Sequence, residues 1–252
     1  MIENFGDWLT AVLLLSLRVV PIFAFAPPFT LLRIPALVRL ILGLSLTAWL
    51  VSGNPEQTYQ SDFLINGIFP AVIAELTIGV IITLTFQIAF AALYTAGRTI
   101  DIQAGFGLAL LIEPATRTQT PLVGTLFAYA AGVTFFAMEG PAELLGLWAL
   151  SVQNTAIGAG QMTSSLAPIF AHLSVSFLIA FGIASVVLLA LFLTDVTVAM
   201  MSKTLPQMHV LLLGFQAKAI MLLLILPISF AVGSTLFLRL IRSAFETSAR
   251  ML

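Results

Sequence analysis

No Asp, Glu, Lys or Arg occurs between Glu143 and Asp195. A spanning helix asks for about 20 consecutive apolar residues, and this uncharged stretch is well over that length. Similar apolar runs recur along the chain, which is 60% apolar and 8% charged. Soluble domains carry about 25% charged residues. The expected fold class is therefore an all-α integral membrane protein. The spans leave little length for anything else, so residues 1–252 are expected to form a single membrane-embedded domain.

Composition also excludes several function classes. The formal net charge is −1, which offers nucleic acid no electrostatic footprint. There is no cysteine, and with it no disulfide, thiolate nucleophile or thiolate metal site. The N-terminus, MIENFGDWLT, carries Glu3 and Asp7 but no basic residue ahead of the apolar run. A secretory signal needs a basic n-region, so the first segment is read as a retained helix.

Hydropathy and breakers divide the chain into about six long, kinked helices. The first covers roughly Trp8 to Phe29 and is interrupted by Pro21, Pro27 and Pro28, because proline removes an amide and clashes with the preceding turn. A basic link with Arg33 and Arg39 leads to a second segment, Ala36 to Ser52, and then to a polar turn, Gly53 to Asp62. The third, Leu64 to Gly97, would reach about 50 Å as one helix, against a hydrocarbon core of about 30 Å. Either Pro70 starts the span late or the helix projects beyond the membrane plane. The fourth begins after Pro121 and ends near Met138, with Gly124, Ala128 and Gly132 at four-residue spacing. Small residues on one face let membrane helices approach closely. Glu139 to Thr163 reads as a weakly polar connection containing a semi-apolar piece, Leu144 to Val152. The fifth segment runs from Leu166 to Thr194, and the sixth from His209 to about Leu240 with Pro227 inside, followed by a tail holding Arg239, Arg242 and Arg250.

Arg33, Arg39, Arg98, Arg117 and Lys203 fall on the odd-numbered links. The positive-inside rule then places those links in the cytoplasm and both termini outside, which conflicts with three arginines in the tail. No internal repeat is visible, which counts against a transporter built from inverted repeats.

Four intramembrane charges stand out. Arg18 and Glu75 each lie far from a segment end, where a charge is costly unless paired or hydrated; they are candidates to pair with each other. Asp195 and Lys218 flank the Lys203–Gln207 link at similar depth on antiparallel neighbours, which predicts an ion pair. A packing salt bridge is the favoured reading of that pair over a proton relay. His172 and His209 lack metal-ligand spacing; one is expected to pack and the other to lie near an interface. No phosphate loop or Ser–His–Asp pattern appears. No cofactor, metal or enzymatic activity is expected.

Mid-chain, residues 97–121 read GRTIDIQAGFGLALLIEPATRTQTP. Arg98, Asp101, Glu113 and Arg117 flank a short apolar core, Gly105 to Ile112, too brief to span a bilayer. Gly105 and Gly107 give it backbone freedom. Non-helical backbone at membrane depth persists only when buried in protein or lining a cavity, so the segment reads as a re-entrant loop.

Two stretches carry a specific resemblance. The first is this loop, through Gly97, Gln103, Gly105, Ala109, Glu113, Pro114 and Pro121. The second is TDVTVAMMSKTLPQMHVLLLGFQAKAIMLLL, through Pro206, Gln207, Gly214, Phe215 and Lys218. Together they resemble the FliR/SctT family of type III secretion export-gate proteins, over nearly the whole chain. The chain departs from that pattern at Glu113-Pro114, where relatives often have Asp-Pro, and at Gln216, where they usually have proline.

The resemblance implies a bacterial cytoplasmic (inner) membrane protein of the flagellar basal body. Helices would pack as hairpins in a helical hetero-oligomer with FliP-like and FliQ-like membrane subunits, touching an FlhB-like switch protein and membrane lipid. Unfolded export substrates would pass through the shared pore. Residues 105–121 would be its plug, with Gly105, Phe106, Gly107, Leu108, Leu110, Leu111 and Ile112 as the gate and Gln103, Glu113, Pro114, Arg117 and Pro121 as anchors. Apolar constrictions seal by dewetting, so such residues facing the pore axis would form a gasket. The competing readings are a virulence-type export subunit, a stand-alone solute transporter, a scaffold with no pore contact, and a loop that only packs.

Overall fold

The computed structural model describes residues 5–54, 67–106, 121–158, 166–204 and 210–252, with side chains at 204 and 210–213 left aside. Among the described residues every regular element is helical. In chain order these are α1 (Phe5–Phe25), α2 (Pro27–Thr30), α3 (Ala36–Gly53), α4 (Ile68–Ala104), α5 (Leu122–Ala137), α6 (Gly140–Asn154), α7 (Ala167–Thr204) and α8 (Val210–Arg250). Five of them, α1, α3, α4, α7 and α8, are long and apolar enough to cross a membrane. The α5–α6 pair, bent by 69°, would make a sixth. The chain is an all-α integral membrane protein.

Prolines and glycines account for most of the boundaries. Ala26 is extended, at φ −74° and ψ 136°, as a residue before proline must be. Pro27 and Pro28 then open α2, where a missing amide costs nothing. The expected interruption of the first segment is thus a break at Ala26 that leaves two helices. Pro21 and Pro227 lie inside α1 and α8, which continue past them.

Three expectations need correction. Residues 97–104 are not loop but the last two turns of α4. The helix stops at Gly105, whose φ of 92° is the left-handed conformation that glycine adopts freely at a helix end. The supposed polar connection after Met138 contains α6. Its buried residues Leu144, Leu147, Trp148, Ser151 and Val152 follow the three-and-four spacing of a one-faced helix, a signal diluted by the polar residues between them. The tail arginines Arg239, Arg242 and Arg250 belong to α8, as Asp195 and Lys203 belong to α7.

Helix length settles the third-segment question. α4 begins at Ile68, ahead of Pro70, so no late start shortens it. Its 37 residues extend about 55 Å. Even at a tilt of about 40°, a 30 Å hydrocarbon core takes up only about 39 Å of helix. α4 is therefore longer than the core it would cross, and the same holds for α7 and α8 with 38 and 41 residues.

Two compact units divide these residues. One comprises Met1–Ile88, Gly132–Leu173 and Ile241–Leu252; the other Ala89–Ala131 and Ser174–Leu240. In the first, Phe86 meets Phe135 and Phe245 edge-on at 6.0 and 5.1 Å, while Phe29 meets Phe135 and Phe136. In the second, Phe127 meets Phe230 and Phe237 edge-on at 5.5 and 6.0 Å. Such T-shaped contacts set the positive ring edge on the negative face of its neighbour.

Each unit also contains one backbone-to-backbone approach. In the first, a Cβ at Gly79 of α4 would strike the carbonyl of Leu17 and the backbone of Arg18 in α1. In the second, a Cβ at Gly97 of α4 would strike the backbone of Val123 and Gly124 in α5. The small-residue stripe on α5 therefore brings helices close at Gly124, whereas a Cβ at Gly132 would meet only Leu31 at an ordinary 3.5 Å. Gly79→Ala and Gly97→Ala are each expected to cost about 1–3 kcal/mol through overpacking, read as a lower unfolding temperature of the purified protein. Gly146→Ala, at an exposed α6 position with open space for its Cβ, is expected to be neutral or to stabilise by up to about 1 kcal/mol.

Candidate functional site

In the first unit the site is a buried ionic cluster. Arg18 on α1 and Glu75 on α4 are both 0% exposed. Arg18 Nε donates to Glu75 Oε2 at 2.7 Å and Nη2 to Oε1 at 2.8 Å, a bidentate pair. Nη1 donates to Ser151 Oγ of α6, and Nη1 and Nη2 both reach the Thr155 carbonyl at 3.3 and 3.4 Å. All five guanidinium N–H groups thus have an acceptor. Glu75 Oε1 also accepts the Gly158 amide at 2.9 Å. Glu75 and Gly79 sit four residues apart, hence on one face of α4. One receives the guanidinium, and the other lets the backbone that carries it come close.

Two further polar groups of this unit have structural partners. His172 Nε2 donates to the Thr85 carbonyl at 2.9 Å, leaving Nδ1 to accept from Ser243 Oγ at 3.1 Å. It is a packing histidine, 2% exposed; His209 lies outside the described residues. Arg39 on α3 donates from Nη1 to the carbonyls of Phe23 and Ala24, at 3.2 and 2.8 Å. These are end carbonyls of α1, which lack intrahelical partners.

In the second unit the site is the end of α4. Gly105 turns over the Phe215 ring of α8, where a Cβ would crowd it at 2.8 Å. Phe106 meets the same ring edge-on at 6.5 Å. Lys218, one turn further along α8, donates from Nζ to the Gln103 carbonyl at 3.1 Å and pairs with Asp195 Oδ1 of α7. Gly214 lies against Val198 of α7. The residues of the second sequence motif that are described, Gly214, Phe215 and Lys218, therefore all engage α7 or the stem of the first motif. The expected pairings of Arg18 with Glu75 and of Asp195 with Lys218 are both present.

The anchors divide. Gln103 is held through its carbonyl by Lys218 and through its side-chain amide, which donates to the Leu188 carbonyl at 3.4 Å. The Pro121 carbonyl accepts the Thr125 amide and hydroxyl at the start of α5. Gly107, Leu108, Leu110, Leu111, Ile112, Glu113, Pro114 and Arg117 lie outside the described residues, as do Pro206 and Gln207.

One anchor escaped the sequence reading. Asp101, 6% exposed, accepts the Val123 amide on both carboxylate oxygens at 3.2 Å. This is a first-turn amide of α5, at the positive end of that helix. N-caps are normally local in sequence, and nothing local marked an acid so far upstream. The only available signal was an acid sharing a stretch with the glycine that permits the α4–α5 approach.

An all-helical membrane protein in which Arg18, Glu75, Arg39, Asp101, Asp195 and Lys218 serve one another and the ends of helices is the class these features define. The sequence matches the bacterial export proteins, family 1, over residues 9–244, and the chain belongs to that family. It is 27% identical over 247 residues to the flagellar biosynthetic protein FliR of Bacillus subtilis (strain 168), with 92% of each chain covered. It is 25% identical to the FliR of Escherichia coli (strain K12), covering 84% of this chain and 81% of that one. It is also 26% identical to the surface presentation of antigens protein SpaR of Salmonella typhimurium, covering 85% and 80%.

Breaking a buried ion pair by removing one partner costs about 3–5 kcal/mol, whereas replacing both by apolar groups is often neutral. Arg18→Met and Glu75→Leu are each expected to lower the unfolding temperature and the accumulated amount of protein sharply. The double variant is expected to recover much of both, as measured by thermal denaturation in detergent.

Proposed function

We propose that this chain is a subunit of a type III protein-export gate in the bacterial cytoplasmic membrane, acting at the base of the flagellum. One observation carries the reading. The likeness to the flagellar relative of Bacillus subtilis extends over 92% of both chains, so it is not confined to a shared segment. On this reading the whole chain acts as one subunit, assembling with FliP-like and FliQ-like membrane subunits and an FlhB-like switch protein. Unfolded flagellar subunits pass through the conduit they form. Its role is in passage, not catalysis.

A second reading has its own support. Relatives named SpaR and Yop proteins translocation protein T match over 85% and 61% of this chain, and a virulence-type apparatus would use the same architecture. Co-purification of the tagged chain decides between these readings and the others. Two other small membrane proteins held in a stable complex favour the export gate, and the identity of the co-purified substrates separates flagellar from virulence export. A monomer that binds a small solute overturns both.

Within this reading, residues 105–121 are the plug, with 105–112 as its gate. A conduit wide enough for a polypeptide leaks ions unless sealed, and apolar side chains seal by excluding water. Support comes from the stem, where a left-handed glycine at 105 follows a helix end that is bound on three sides. Deleting 106–112 is expected to raise membrane leak, read as increased sensitivity of growing cells to small toxic solutes. Unchanged leak together with lost export would make the segment structural.

A further inference from the structure

We infer that Lys218 is a positioning residue: braced by Asp195, its ammonium caps the C-terminal end of α4 and so fixes where the chain leaves that helix. The four last carbonyls of a helix have no intrahelical donor, and they carry the negative end of its dipole. Gln103 supplies one of them. Lys218 Nζ reaches it at 3.1 Å while paired with Asp195. A lysine presents three donors from one point charge, so it serves a carboxylate and a carbonyl together.

A simple packing salt bridge does not account for this arrangement. The side chains of Lys218 and Asp195 are 21% and 43% exposed, so the ammonium is not closed off against the carboxylate and keeps donors for a second acceptor. Nor does pairing α7 with α8 require any contact with α4. The structure nevertheless brings α4 to the same point, with Phe215, three residues before Lys218, beneath Gly105. Positions three apart share a helix face, so one face of α8 holds both the Gln103 carbonyl at the end of α4 and the glycine that ends it. The Gly105 amide still bonds back to the Ile102 carbonyl at 3.1 Å, the hydrogen bond most exposed to loss if that face lets go. The direction of residues 105 and 106 follows from these contacts.

Amide hydrogen exchange of the full-length protein in detergent, followed on peptides covering residues 100–106, tests the inference. In Lys218→Met the exchange of these amides is expected to rise about tenfold, since a hydrogen bond from a charged group has been removed. Lys218→Arg keeps charge and donors, and is expected to stay near the parent. The double variant Asp195→Leu with Lys218→Met leaves no unpaired charge. It is expected to melt like the parent yet keep the fast exchange, and it carries the test if Lys218→Met does not accumulate. Parental exchange in the double variant, or in Lys218→Met, overturns the inference and leaves a packing salt bridge. A parallel leak assay rests on the plug reading, whereas exchange does not. Raised exchange without leak keeps Lys218 as the cap and removes the plug. Unchanged exchange removes the cap whatever the leak.

Discussion

The guanidinium of Arg18 sets the physical terms for much of this protein. It lies wholly out of solvent, where an ion without partners is untenable, and every N–H it carries is answered by protein. Three chain segments must therefore be in place at once: α4 through Glu75, α6 through Ser151, and the turn after α6 through the Thr155 carbonyl. Glu75 in turn holds the Gly158 amide. The bend between α5 and α6 is what returns α6 to this position. It is made at Glu139, a left-handed non-glycine residue at φ 59°, followed by Gly140 and Pro141.

The same requirement recurs at helix ends. Wherever a helix stops in apolar surroundings, its last carbonyls or first amides need partners that water does not supply. Arg39 serves the end of α1, Asp101 the start of α5, and Lys218 the end of α4. With only 8% of residues charged, the chain has few such groups, and these three meet helix termini from a distance in sequence. Ordinary helix caps are local, and they suit helices whose ends emerge into water. Distant caps tie one helix terminus to another helix, so each also restrains tertiary structure.

This division explains what was legible in the sequence. Long apolar runs mark helices directly, and the breaks at Pro27, Gly53 and Gly105 follow from backbone chemistry. The pairing of Asp195 with Lys218 was accessible because both count back from one link, so the antiparallel geometry fixes their relative depth. Arg18 and Glu75 suggested each other only because an isolated buried charge is so costly. The partners of Asp101, an amide of α5, and of Arg39, the end carbonyls of α1, were not specified by any side-chain pattern, because backbone groups are the same in every sequence. The amphipathic face of α6 was written in its spacing but obscured by Glu143, Ser151 and Gln153 among the apolar residues. The end of α4 lies beyond Gly97, whose lack of a side chain serves the contact with Gly124 rather than a turn.

Buried ion pairs add little net stability over well-packed apolar substitutes, so the retention of Arg18 and Glu75 needs another cause. Register supplies one. Leu14, Leu15, Val19 and Ile22 on α1 are buried among other apolar residues, and aliphatic surfaces of this kind tolerate sliding by a turn. A shift of α1 against α4 by one turn, about 5.4 Å, would separate the guanidinium from its carboxylate and drive other backbone or side-chain atoms against Gly79. The bidentate pair and the glycine contact therefore admit one register, the charge by attraction and the glycine by exclusion. At the end of α4, Lys218 and the Gly97–Gly124 contact divide the labour in the same way. A chain whose surfaces are this uniform obtains its specificity from a handful of charges and missing side chains, placed where the helices must not slip.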